Sequence, residues 1–104
     1  MPDPTPALTI TTVAEGLICA GEIDAHTAPD LDRALSDIVT SGQAARLDMA
    51  AITFIDSSGI RTLISSTNAS RQHGGDLVIA PSPMVTRVME MSGLDKFFTV
   101  AETG

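Results

Sequence analysis

Three stretches of helical period, each closed by a glycine and followed by a short apolar run, restrict the folds open to this chain. The first carries Ala28, Leu31, Ala34, Leu35, Ile38 and Val39 and is closed by Ser41-Gly42. The second sets Ile60, Leu63, Ile64 and Thr67 on one face and ends at Gly74-Gly75. The third holds Met84, Val85, Val88 and Met89 behind Pro81-Ser82-Pro83 and stops at Ser92-Gly93. Between them lie a short buried strand, Ala45–Met49, the apolar run Ile52–Ile55, and a further strand, Asp76–Ala80. Ahead of the helices, Ala7–Val13 alternates like a strand with one buried face, Glu15-Gly16 reads as a hairpin turn, and Leu17–Ile23 returns. Phe97–Val100 reads as a last edge strand. Strands alternating with helices call for right-handed crossovers and a common sheet. The pattern therefore predicts an α/β domain with a mixed, mostly parallel sheet, an N-terminal hairpin and three to four helices.

A chain of 104 residues makes one hydrophobic core. Residues 1–6, rich in proline, read as a flexible lead-in, and residues 7–104 as the domain. The three aromatic residues are all Phe, so aliphatic side chains must fill the core. The net charge is −7 and no Lys/Arg cluster occurs, which argues against nucleic acid and anionic membrane surfaces as partners. Cys19 stands alone, which rules out an internal disulfide, suits a reducing compartment and reads as a small buried hydrophobe. No run approaches the ~20 apolar residues of a membrane span, and the N-terminus has no basic, apolar leader; a cytoplasmic protein is expected. His26 and His73 lack the spacing of a zinc site, so no metal is expected.

The richest junction is Ile52-Thr53-Phe54-Ile55-Asp56-Ser57-Ser58-Gly59-Ile60, where an apolar strand ends in a carboxylate, two hydroxyls and a glycine as a helix begins. With Ser57 as the helix N-cap, its hydroxyl would sit at the helix mouth, open to an outside enzyme. Free N–H groups and the helix dipole there favour negative charge. A second capped start, Thr27 followed by Pro29, comes just after Asp24. Gly59 either keeps the helix start uncluttered for an approaching partner or supplies a backbone conformation. The pattern G-x-S-x-G and an oxyanion-hole glycine run are absent, so His26 and Ser57 do not read as a hydrolase site. No P-loop is present either.

In Asp56-Ser57-Ser58-Gly59-Ile60 the chain resembles the STAS-domain anti-sigma factor antagonists of bacteria. Gly21-Glu22-Ile23-Asp24 with Thr27 and Leu31 is similar to that family's G-E-[LI]-D-x-x-T-x-x-x-L segment. Gly74-Gly75-Asp76-Leu77 and Met91-Ser92-Gly93-Leu94-Asp95-Lys96-Phe97-Phe98 match two further family segments in the right order. The resemblance implies a regulatory binding module without catalytic residues or cofactor of its own. Its unphosphorylated form would bind an anti-sigma factor that is also a serine kinase, and so release a sigma factor. The kinase would use ATP to phosphorylate Ser57, and a metal-dependent serine phosphatase would restore the active form. Asp24, His26, Asp56, Ser58, Gly59 and Arg61 would belong to the partner surface. Arg61 departs from the family, which often has a small residue there, and its spacing from Ser57 puts it within reach of a phosphate. The rival readings are a transporter-associated STAS module and a nucleotide- or small-molecule-sensing one.

Overall fold

The computed structural model describes residues 7–101; the proline-rich lead-in expected at 1–6 lies outside them. The elements run β1 (Leu8–Val13), β2 (Gly16–Ile23), α1 (Ala28–Thr40), β3 (Ala44–Ile55), α2 (Ser57–Gln72), β4 (Asp76–Pro81), α3 (Pro83–Met91) and β5 (Thr99–Val100). They form a five-stranded sheet in the order β1-β2-β3-β4-β5. β1 and β2 pair antiparallel through a tight turn, and every later neighbour is parallel. The expected fold class is therefore the observed one, with three helices among the described residues.

Each helix packs its periodic face inward. Leu31, Leu35 and Val39 of α1, Leu63 of α2, and Val85 and Met89 of α3 join one core with the inward residues of the strands. Gly42, Gly74 and Gly93 all adopt positive φ just past the helices they end, a conformation that costs other residues free energy. Cys19 is fully buried in this core; burial, followed by the charge of Asp48, pushes its thiol up to about 11. At neutral pH it is a neutral hydrophobe.

β3 is one strand of 12 residues, joining the segments 45–49 and 52–55. Its buried residues Leu47, Met49, Ile52 and Ile55 are unevenly spaced, which a regular strand cannot reconcile with a single inner face. Two register shifts against β2, between Ile18 and Ala20 and between Gly21 and Glu22, solve this. Ile18 pairs with Asp48 but Ala20 with Ala51, and Gly21 pairs with Ile52 but Glu22 with Phe54. Each extra β3 residue resets the alternation, so all four apolar side chains stay under the helices. Ile18 and Phe54 face the other way, 42% and 40% exposed.

The C-terminal edge strand is shorter than the sequence pattern predicts. Phe97 and Phe98 lie in a turn held by their N–H groups donating to the Leu94 carbonyl, and only Thr99–Val100 pairs with β4. Phe98 is buried in the core, and Phe97 packs under Arg71, which also donates to its carbonyl at 2.6 Å. No helix among the described residues is long and apolar enough to cross a membrane.

Candidate functional site

β2 and β3 are parallel neighbours, so the segments leaving their carboxyl ends emerge side by side. Ile23 pairs with Ile55 as the last rung, and the Asp56 N–H donates to the Ile23 carbonyl at 3.1 Å. Asp24 and Asp56 are the next residues on the two chains. They therefore sit on adjacent strand ends, where the spacing between strands is about 4.8 Å.

Each aspartate builds the start of a helix. The Asp24 Oδ1 accepts from the N–H groups of His26 at 2.9 Å and Thr27 at 3.0 Å. The Thr27 N–H above all, then the His26 N–H and the Thr27 hydroxyl, hold the Asp24 carboxyl below the usual carboxylate range, overcoming the opposing effect of desolvation. Thr27 stands at the N-cap position of α1, as expected, but its side chain makes no cap bond. Its hydroxyl instead donates to the Glu22 carbonyl and accepts from the Asp24 N–H, both at 2.9 Å, tying the strand end to the helix start. That stitching role was not legible from the N-cap pattern alone.

The N-cap of α2 is Asp56, one residue ahead of the position expected for Ser57. Its Oδ1 accepts from the N–H groups of Ser58 at 2.8 Å and Gly59 at 3.3 Å. A carboxylate caps with full charge against the positive end of the helix, which a hydroxyl cannot match. Ser57 becomes the first helical residue, exposed, with its hydroxyl free of any capping duty. Its Oγ accepts a long hydrogen bond of 3.4 Å from Arg61 Nη2, four residues on.

The remaining predicted residues divide between surface and interior. His26 is exposed on the turn before α1, whereas His73 caps the far end of α2, so the two histidines are not brought together. Ser58 is half-buried and borders a groove of about 350 Å³ between the starts of α1 and α2. Ala25, Ala28, Pro29, Asp32, Arg61 and Thr62 line the rest of it. Gly59 turns inward: a Cβ on it would lie 2.6 Å from Ile55 Cγ1 and 2.7 Å from Ile23 Cγ2. Its lack of a side chain thus seats α2 on the last rung of the sheet, a packing reason distinct from backbone conformation. Asp32 and Thr62 enter the site only through the side-by-side packing of α1 and α2, which leaves no local signal in the sequence.

Chemically, this end of the molecule offers an accessible hydroxyl, an adjacent guanidinium and three carboxylates. It holds no base hydrogen-bonded to Ser57. Among the described residues no group of three His, Cys, Asp or Glu is placed to hold a metal ion.

The family model of the STAS domain matches residues 12–103. The anti-sigma-B factor antagonist of Listeria monocytogenes is 31% identical over 86 residues, covering 81% of this chain and 75% of that protein. The anti-sigma-F factor antagonist RsfB of Mycobacterium tuberculosis is 31% identical over 88 residues, covering 84% and 72%. The crystal structure of an anti-sigma factor antagonist from Mycobacterium paratuberculosis superposes with a TM-score of 0.70 at 27% identity, over 92% of this chain and 85% of that one.

Proposed function

Because the chain belongs to the STAS domain family, we propose that it is an anti-sigma factor antagonist switched by phosphorylation of Ser57. Unphosphorylated, it binds an anti-sigma factor that is also a serine kinase, and a sigma factor is released. The observation that carries this reading is the Ser57 hydroxyl, which stands exposed on the first residue of α2 because Asp56 does the capping.

In the transfer, Oγ of Ser57 attacks the γ-phosphorus of ATP held by the kinase. A P–O bond to the serine forms, the bond from the γ-phosphorus to the bridging oxygen breaks, ADP departs and the hydroxyl proton is lost. A metal-dependent phosphatase reverses the state by hydrolysis. ATP and metal belong to the partner enzymes, and this chain supplies only the acceptor and its surroundings.

The modification adds roughly −1.5 to −2 charges at one surface point. Asp24 and Asp56 stand at the same end of the sheet, and with Ser58, Arg61 and His26 they make up the proposed contact surface. A partner packed over Ser57 would have to bury a phosphate whose charge it does not match and a single guanidinium does not cancel, at a cost of several kcal/mol. Since about 1.4 kcal/mol is tenfold in affinity, the complex separates. The fold itself is spared, because the core lies on the opposite face of α2.

The test is co-expression with anti-sigma serine kinases and mass spectrometry of the peptide spanning residues 51–61. A single phosphate on Ser57, lost in Ser57→Ala, is expected. Undiminished labelling of Ser57→Ala would overturn the assignment.

A further inference from the structure

We propose that Arg61 is the built-in counter-ion of phosphorylated Ser57, a clamp that prolongs the modified state against hydrolysis; this rests on Ser57 being the modified residue. Arg61 Nη2 already lies 3.4 Å from Ser57 Oγ, and both side chains are exposed one helical turn apart. A phosphate on Oγ brings its outer oxygens to the guanidinium with no movement of the backbone.

The state of the neighbouring charges strengthens the assignment. Among the described residues the single ion pair within 4.0 Å is Arg33–Asp30, so Arg61 holds no carboxylate although Asp32 borders the same groove. The carboxylates of Asp24 and Asp56 are engaged with backbone N–H groups of their own turns. Arg61 is the one basic residue lining the groove. A guanidinium that pairs with no carboxylate among the described residues, in acidic surroundings, is placed to receive an anion.

Asp56 also removes the alternative. A phosphate at a helix start is ordinarily held by the free N–H groups of the first turn. Here the N–H groups of Ser58 and Gly59 are taken by Asp56 Oδ1, and its negative charge repels a second anion. The side chain that can neutralise a phosphate on Ser57 is then Arg61. In hydrolysis a water oxygen bonds to phosphorus, the Oγ–P bond breaks, Oγ regains a proton and inorganic phosphate leaves. While Arg61 holds the non-bridging oxygens, they are less free to enter a phosphatase's metal site, and the reaction slows.

Phosphoserine inserted at position 57 by amber suppression tests the clamp independently of any kinase. The full chain carrying it is compared with Arg61→Ala and Arg61→Lys; alanine at this exposed helical position keeps the helix. In a ³¹P NMR titration the second ionisation, ordinarily near 6, is expected roughly half a pH unit lower with Arg61 than with alanine. Lysine should fall between. A metal-dependent serine phosphatase should release phosphate from Arg61→Ala about two- to fivefold faster, as expected of an exposed ion pair. Coincident titration curves overturn the clamp. If the curves differ while no kinase labels Ser57, the proposed function fails and the clamp stands; labelling with coincident curves is the reverse.

Discussion

A single methyl group at Gly59 decides whether α2 can begin where it does. The site for its Cβ is occupied by Ile23 and Ile55, which are 0% and 3% exposed and form the last rung between β2 and β3. Neither branched side chain can swing aside without disturbing a core packed to near-crystalline density. Gly59→Ala would gain up to about 1 kcal/mol from helix propensity, and overpacking would cost about 1–3 kcal/mol. A net loss of about 1 kcal/mol is expected in urea denaturation, and a stabilised variant would show that α2 can lift freely from the strand ends. The same seating holds Asp56 between its two N–H donors and turns Ser57 outward, so lifting α2 should also blur the presentation of the hydroxyl.

The turn from β2 into α1 concentrates several of its bonds on one carboxylate, and that makes it sensitive to pH. Folding lowers the Asp24 pKa from its ordinary 3.8, chiefly through the Thr27 N–H, so the folded state holds its proton less tightly than the unfolded one. The stabilisation is therefore complete above the unfolded value and is lost as pH falls through the lower folded one. Asp24→Asn keeps an oxygen for the turn but not the charge. Its melting temperature should lie below wild type at neutral pH, with the gap closing as the pH falls below the ordinary carboxylate range and Asp24 itself protonates; a gap independent of pH would mean that the charge is idle. At this scale the sequence was a good guide wherever a signal is local. Helical spacing and glycine stops yield every element in order, while the hairpin turn lies at Ala14-Glu15, one residue before the expected Glu15-Gly16, because Gly16 already pairs with Val13. The register within β3 was hidden, because the spacing of Leu47, Met49, Ile52 and Ile55 makes sense only with its bulges against β2. The cap of α2 was displaced by one residue because Asp and Ser both cap well, and only the geometry shows which side chain reaches the N–H groups. Gly59 was ambiguous for a related reason: its neighbour Ile23 comes from a different strand.

Across the whole molecule, the net charge of −7 and the phosphate proposed for Ser57 would act on different steps of partner exchange. A field summed over the surface steers encounter, and it is screened within about 8 Å at physiological salt. A phosphate on Ser57 would add roughly −1.5 to −2 charges to a molecule already negative, which would change that distant field only in part. Its larger effect would be at contact, where it would meet a desolvated partner surface beside Asp24 and Asp56. Rim and distant charges mainly alter association rates, whereas an incompletely neutralised charge inside an interface alters dissociation. Binding to the anti-sigma factor, followed by surface plasmon resonance, should therefore lose association rate as salt rises. Phosphoserine at position 57 should raise the dissociation rate by roughly tenfold or more while altering association much less. High salt should not restore binding of the phosphorylated form, because ions do not reach a phosphate enclosed between two proteins. Recovery of affinity at high salt would instead place the repulsion at long range and make the switch a property of total charge rather than of the Ser57 contact.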